Sequence, residues 1–185
     1  MTSRTPNITV RRPLASDERE WLTLRKVSRD FLIPWEPNPP PGSSDENSFD
    51  RVLETGWTDT HRRFLILNAG GSIVGQCSLG QIIRGPLQQA FLGYWVGLPH
   101  VRKGYASAAI RQVLAYAFGT LLLNRIEANI QPHNAASIAT VKAIGFRLEG
   151  FSPKYLEIQG TFADHQRWAI LNEEFAATPP VARSA

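Results

Sequence analysis

The chain has 185 residues, a formal net charge of +4, 43% hydrophobic residues and a single cysteine, Cys77. This length and composition are typical of one soluble globular domain with a real core, and one cysteine excludes an intrachain disulfide framework. No apolar run approaches the ~18 residues of a membrane span, and no signal-peptide core is visible, so we expect a cytoplasmic protein without membrane attachment. The lysines and arginines are spread along the chain, and we therefore predict no direct nucleic-acid site.

The first half of the chain predicts a strand, two helices and then a strand pair. Residues 8–13 indicate an opening strand, and Asp17 followed by Glu20 predicts a capping box at the start of the first helix. Proline-rich residues 31–45 indicate a loop, and a second helix is predicted to begin near Ser44. Two apolar runs follow, joined by a glycine-rich turn typical of a hairpin. We expect Cys77, inside the second run, to be a buried strand residue.

The second half alternates strands and helices and ends in two strands. The run 90–96 predicts a strand, a helix follows Gly104, and 125–131 predicts the next strand. Asn134 is the expected N-cap of another helix that ends at Gly145. The order β-α-α-β-β-β-α-β-α-β-β predicts one α/β (α+β) domain with a mixed sheet, at residues 1–173. Residues 174–185 are predicted to be a disordered tail.

The segment "GYWVGLPHVRKGYASAAI" (93–110) joins a strand to a helix through two cations and a glycine. Free N–H groups at a helix start bind anions, and Arg102 and Lys103 would add full charges beside them. Gly104 allows close approach of a ligand because it has no Cβ. A plain turn with solvated cations explains the pattern equally well. The segment matches neither the P-loop nor the dinucleotide-binding glycine pattern.

A second strand-to-helix junction, "QPHNAAS" (131–137), brings Asn134 and Ser137 to the same end of the sheet. Two adjacent parallel strands that both end at helix starts create a crevice beyond their carboxyl ends. Such a crevice suits a ligand with a pyrophosphate and a long arm that carries amides. Asn134 as a simple helix cap is the alternative, and one side chain can serve both purposes.

Together, "GYWVGLPHVRKGYASAA" and "RIEANIQPHNAASIATVKAIGFRLEG" resemble the acetyl-coenzyme A core of the GNAT superfamily of N-acetyltransferases. Further stretches, "FLIPWEPN" and "GFRLEGFSPKYLEIQGTFADH", resemble its ribosomal-protein-alanine N-acetyltransferase branch. The resemblance covers about residues 8–171. It implies a mostly antiparallel twisted sheet of about seven strands with about four helices, and acetyl-CoA as cosubstrate. Val101 departs from the Gln/Arg usual at the first position of the family's phosphate loop, whereas Gly104 and Ala106 match.

Carried onto this sequence, the resemblance implies two sets of contact residues. The cofactor contacts would be Val96, Val101, Arg102, Lys103, Gly104, Tyr105, Ala106, Ser107, Asn134 and Ser137. Substrate contacts would be Trp35, Asn129 and Tyr155, with Asp164 and His165 as further candidates at a peptide entrance. Each of these aromatic and hairpin residues is equally compatible with an ordinary packing or surface position. The four histidines lack metal-ligand spacing, and we predict no metal site.

The chemistry of amine acetylation favours a substrate that loses its proton easily. An α-amino group with a pKa near ~8 is about one-tenth neutral at pH 7, whereas a lysine near ~10.4 is neutral about once in 2,500 molecules. Strand alternation places Glu127, Asn129 and Gln131 on one face, which the resemblance turns toward the acceptor. Glu127 is the candidate base, through water, and an ion pair is its alternative role. The resemblance implies that Ser137 protonates or solvates the departing thiolate.

These observations leave four functions in competition. The first is an acetyl-CoA-dependent N-acetyltransferase that acts on a protein N-terminus, such as that of a ribosomal protein, and a neutral acceptor cleft with aromatic walls would favour it. The second uses the same cosubstrate on a small amine, and an anionic acceptor cleft would favour it. The third is an acyl-CoA-binding sensor without turnover, which the departure at Val101 and the lack of a strong base suggest. The last is a ribosome- or RNA-binding module, which only the basic pI suggests.

Overall fold

The structure is a computed structural model that describes residues 5–38 and 48–177. Its strands are β1 Ile8–Arg11, β2 Trp57–Thr58, β3 His61–Asn68, β4 Ile73–Ile83, β5 Gln89–Val96, β6 Arg125–Ile130, β7 Arg147–Ile158 and β8 Thr161–Leu171. Its helices are α1 Glu18–Leu32, α2 Ser48–Thr55, α3 Tyr105–Gly119, α4 Ala135–Ile144 and α5 Asn172–Ala177. Within these residues, every helix is too short or too polar to cross a bilayer.

The strands form one eight-stranded sheet in the order β1-β3-β4-β5-β6-β8-β7, and the two-residue β2 pairs with β3 beside this path. All neighbouring strands are antiparallel except β5 and β6, which are parallel. The predicted mixed, mostly antiparallel sheet in a single α/β domain is confirmed.

Helices cover both faces of the sheet, and β3 shows why its sequence is apolar without alternation. Phe64 and Ile66 pack in the larger core with α3 and α4, whereas Leu65 and Leu67 pack in a smaller core with α1 and α2. A strand buried on both faces has no position for a polar residue, so its apolar run is continuous. The same logic applies to Cys77 on β4, which is fully buried as predicted.

Several predicted boundaries need correction. The opening strand ends at Arg11, and the start of α1 has no capping box: Asp17 accepts hydrogen bonds from Arg11 and from the Leu14 amide instead. Glu20 accepts a hydrogen bond from the amide of Ile73, 2.8 Å away. These carboxylates therefore tie α1 to the sheet.

The caps of α4 match their prediction, whereas the ends of two other elements do not. Asn134 accepts a hydrogen bond from the Ser137 amide at 3.1 Å, and Gly145 ends the helix with φ of 113°. The described part of α2 begins at Ser48, so the predicted start near Ser44 lies outside the described residues. Helix α5 crosses the predicted boundary at residue 173, and 174–177 are therefore helical.

Candidate active site

The parallel pair of strands at the centre of the sheet separates partway along its length. Strands β5 and β6 are paired from Gln89–Arg125 to Phe91–Glu127 and no further. Beyond that point β5 stays paired with β4 as far as Val96, and β6 stays paired with β8 as far as Ile130. The two halves of the sheet therefore diverge, and the facing strand edges keep backbone groups free for a ligand.

A first cavity of about 250 Å³ lies beside this opening, at the start of α3. Gly104 precedes the helix with φ of +78°, a left-handed conformation that glycine adopts without strain. Glycine has no side chain and offers no capping acceptor, so the first amides of α3 need an outside partner. The start of α3 therefore has a geometry that suits an anion.

Nearly all of the predicted cofactor contacts line this first cavity. They are Val96, Val101, Arg102, Gly104, Tyr105, Ala106, Ser107, Asn134 and Ser137. Lys103 is the exception, because its Nζ is turned away to donate to the carbonyl of Pro99 at 2.9 Å. Of the two cations at this junction, the structure brings only Arg102 to the cavity.

Tyr94 and Ser137 form a hydroxyl pair in the opening between the two halves of the sheet. Their oxygens are 2.6 Å apart. Burial raises the pKa of Tyr94 to about 12, against a smaller lowering effect of the hydrogen bond with Ser137. The phenol therefore stays protonated throughout the neutral range and is available as a donor. Sequence reasoning missed Tyr94, although it stands next to the glycine at the start of the quoted segment.

A second, larger cavity of about 790 Å³ lies over the α1–α2 side of the sheet, and we call it the groove. The predicted substrate contacts Trp35, Asn129 and Tyr155 all line it, as does His165. The Asn129 Nδ2 donates to the Tyr155 hydroxyl at 3.0 Å. The Asn129 Oδ1 is buried without a hydrogen-bond partner among the described residues. This oxygen is therefore free to accept a hydrogen bond from a ligand in the groove.

His165 is almost fully buried, and its tautomer is fixed by one contact. Its Nδ1 lies 3.0 Å from the carbonyl oxygen of Ala163. Because a carbonyl oxygen only accepts, Nδ1 carries the proton and Nε2 is left as a basic acceptor. Asp164 instead accepts a hydrogen bond from the amide of Lys154 and lines neither cavity.

Trp35 is held in place by contacts on both sides of its short helical turn. The Gln131 Nε2 donates to the carbonyl of Pro34 at 2.9 Å, and the His133 ring lies 5.3 Å from the Trp35 ring. Arg25 then makes a bidentate ion pair with Glu36 at 2.8 and 2.7 Å. These contacts make Trp35 a fixed wall between the two cavities.

Arg25 itself lies against two aromatic rings. Its guanidinium lies 5.7 Å from the centre of the Trp21 ring and 5.0 Å from that of Trp95. Cation–π contacts of this kind fix the orientation of the side chain as well as its position.

Glu127, the predicted base, lines neither cavity. Its carboxylate accepts a hydrogen bond from Arg125 Nε at 2.8 Å, and Arg125 also pairs with Glu149. The geometry therefore matches the alternative role of Glu127 as an ion-pair partner. Asn129 and Gln131, on the same face of β6 by alternation, line the groove, but alternation gives no information on where the groove ends.

The two cavities share six residues: Trp35, Glu36, Tyr94, Trp95, Asn134 and Ser137. A group held in the first cavity can therefore reach a group held in the groove at the Tyr94–Ser137 pair. Among the described residues, no cluster of His, Cys, Asp or Glu has the arrangement of a metal site. The arrangement is suited to direct transfer between two ligands.

Comparison with known proteins identifies the family. Residues 7–147 match the acetyltransferase (GNAT) domain family. The probable N-acetyltransferase YjcK of Bacillus subtilis is 45% identical over 102 residues, which cover 55% of this chain and 56% of that protein. The match to this relative thus spans little more than half of its length.

Longer matches include enzymes with named substrates. The [ribosomal protein uS5]-alanine N-acetyltransferase of Escherichia coli is 28% identical over 161 residues, covering 80% of this chain and 79% of that protein. The spermidine N(1)-acetyltransferase of Vibrio cholerae is 26% identical over 132 residues, covering 69% and 76%.

Among solved structures, Mycobacterium smegmatis RimJ in complex with CoA-disulfide superposes with a TM-score of 0.85 at 31% identity. The superposition covers 92% of this chain and 86% of that chain. The match of the family model over most of the chain shows that the chain belongs to the GNAT acetyltransferase family.

Proposed function

We propose that this enzyme transfers the acetyl group of acetyl-CoA to the α-amine of a polypeptide N-terminus, with ribosomal proteins as the first candidates. The charge of the groove carries the choice of acceptor. Among the described residues that line it, the charged side chains are Arg25, Arg51, Arg63 and Glu36. Glu36 pairs with Arg25, which leaves Arg63 as a cation of the groove without an ion-pair partner among the described residues. A cation there repels a polyamine more strongly than a polypeptide end, which carries a single charge at its amine.

Acetyl-CoA supplies the thioester, and the first cavity has the features that its polar end requires. The pyrophosphate would bind the free amides at the start of α3, with Arg102 beside them and Gly104 giving room for close approach. The unpaired edge of β5 beyond Phe91 would bind the amides of the pantetheine arm. Val101 in place of the usual Gln or Arg would reduce the affinity for the pyrophosphate little, because a backbone amide binds an anion whatever side chain its residue carries.

The Tyr94–Ser137 pair would stabilise the negative charge that develops during transfer. Both residues line both cavities, and the raised pKa of Tyr94 keeps its hydroxyl protonated. A fixed donor at such a position typically accelerates a reaction by about 10²–10³-fold. Ser137 connects Tyr94 to the start of α4, so the pair is positioned before substrates bind.

Only a weak base is required for an α-amine, since about one-tenth of it is neutral at pH 7. The Ala163 contact leaves the Nε2 of His165 as an acceptor. Through a water molecule, this nitrogen would accept a proton from the α-amines that are still charged. The unused Oδ1 of Asn129 would accept a hydrogen bond from the bound amine. Glu127 has no such part, because Arg125 occupies its carboxylate.

The test measures thiol release from acetyl-CoA with peptides that begin with Ala, Ser, Thr or Met, with N-blocked peptides that contain lysine, and with spermidine. The proposal expects release only when a free peptide N-terminus is present, and mass spectrometry should place the acetyl group on the α-amine. Faster turnover of spermidine than of every peptide would contradict the proposal and favour a small-amine acceptor.

A further inference from the structure

Arg63 contributes to the positive charge of the groove, but no specific ligand group has yet been assigned to it. It lies on β3, is half-buried, and has no hydrogen-bond or ion-pair partner among the described residues. Burial and the charge of the nearby Arg51 both lower the pKa of Arg63. Desolvating a guanidinium beside another cation is unfavourable, and a bound anion would relieve that cost.

Arg25 does not share this property, because the carboxylate of Glu36 already neutralises it. The phosphates of the cosubstrate are not the missing anion, because neither Arg63 nor Arg51 lines the first cavity. The acceptor is therefore the ligand that would bring an anion to Arg63.

The position of Arg63 sets how far this anion lies from the reacting amine. Strand register aligns Arg63 on β3 with Ser78 on β4 and Gly93 on β5, and Gly93 directly precedes Tyr94. Two strand spacings separate Arg63 from Gly93, or about 10 Å. An extended peptide advances about 3.3 Å per residue, so it covers this distance in about three residues.

We propose that Arg63 binds an acidic side chain within the first four residues of the acceptor polypeptide. This inference rests on the proposed function, and it narrows the substrate class to N-termini with an early Asp or Glu. The small residues Ser78 and Gly93 leave the path between the amine and Arg63 clear for an extended chain. The carboxylate of a free amino acid is one carbon from its amine and cannot reach both places.

The experiment compares peptides that differ only by Asp or Asn at position two, three or four, behind a fixed first residue. At the preferred position we expect kcat/KM to be about tenfold higher for the Asp peptide, which corresponds to about 1.4 kcal/mol. Arg63→Gln should remove this preference by raising the KM of the Asp peptide. Arg19→Gln, which removes an exposed charge on α1 outside both cavities, should leave it unchanged.

Charge reversal makes the test independent of any general loss of activity. Arg63→Glu should prefer Lys over Asp at the same peptide position. Affinity for CoA and the midpoint of thermal unfolding serve as checks that each variant folds. If Arg63→Gln does not fold, Arg63→Lys should retain the preference for Asp.

The outcomes separate this inference from the proposed function. Turnover of free N-termini with equal rates for Asp and Asn at all three positions would overturn the inference alone. An unchanged Asp preference in Arg63→Gln would do the same, because the anion would then bind elsewhere. Absence of turnover on every free N-terminus would overturn the proposed function and the inference with it.

Discussion

The first cavity and the groove lie on either side of the Tyr94–Ser137 pair but are built in different ways. The first cavity comes from three short sequence segments, within 31–36, 94–107 and 134–140, and its central feature is the backbone at the start of α3. The groove is lined by side chains from α1, α2 and strands β3 to β8. A site made of local backbone is predictable from a short sequence segment. A site made of distant side chains becomes visible only when the strands are in register.

The largest effect is expected where the two regions meet. Tyr94→Phe removes one hydroxyl and leaves the packing of the ring, so kcat should fall about 100-fold, as for loss of a fixed donor. CoA affinity should change little. The control is Tyr116→Phe, because the Tyr116 ring packs in the same core with Phe64 and lies outside both cavities.

Steady-state kinetics and calorimetric titration with CoA distinguish this role from a structural one. A parallel loss of CoA affinity in Tyr94→Phe would show that the phenol supports binding and not the transfer step.

A second substitution addresses the first cavity alone. Gly104→Ala forces a side chain into a left-handed conformation that costs about 1–2 kcal/mol, and the new Cβ would lie 3.2 Å from Pro6 Cδ. We expect the Kd for CoA to rise about tenfold as the start of α3 shifts. Gly119→Ala is the matched control, since a Cβ at Gly119 meets nothing within 4 Å.

Peptide KM at saturating cosubstrate should be the same in Gly104→Ala as in the unchanged enzyme. A large rise in that KM would mean that the two regions are coupled through α3, against the distinction drawn above.

The third substitution addresses the α1 side of the groove. Arg25→Met keeps much of the contact with Trp21 and Trp95 but removes the ion pair with Glu36. A partly exposed pair of this kind is worth about 0.5–1 kcal/mol, so the KM for peptide should rise about three- to fivefold as Trp35 loosens. The control is Arg19→Met on the same helix. A larger effect on the Kd for CoA than on the KM for peptide would contradict this assignment.

The sequence predicted the sheet and the helices around it, and most of the residues that it assigned to the cofactor line the first cavity, because glycines, caps and periodicity act locally. Lys103 does not line the cavity, because its ammonium group donates to the Pro99 carbonyl, a contact that forms only once the turn is folded. Glu127 lines neither cavity, and its partner Arg125 also pairs with Glu149 on β7, a contact between distant parts of the sequence. Tyr94 was missed because its role depends on the hydrogen bond with Ser137 on α4. Arg63 was missed because its role depends on the register of β3, β4 and β5, which aligns it with Ser78 and Gly93.

The smallest effect concerns stability, and it tests whether the α1 side of the sheet can be weakened alone. The Arg11 hydrogen bonds hold the pKa of Asp17 below its ordinary value. A group with a lowered folded pKa stabilises the fold fully above its unfolded pKa of about 3.9, and this contribution is lost as the pH falls through the folded value. Asp17→Asn should therefore lower the free energy of unfolding by about 1 kcal/mol at pH 7 and have progressively less effect below pH ~4.

Denaturant unfolding between pH 7 and pH 3 measures this difference, with Asp30→Asn as the control at an exposed position on the same helix. A destabilisation of Asp17→Asn that stays constant with pH would mean that the Leu14 amide contact, and not the charge of Arg11, is what matters. Because Asp17 lies on the α1 side of the sheet and outside both cavities, CoA affinity at pH 7 should be unchanged. The start of α3 would then keep its anion-binding geometry while the opposite layer loses stability, as expected if that geometry is set by local backbone.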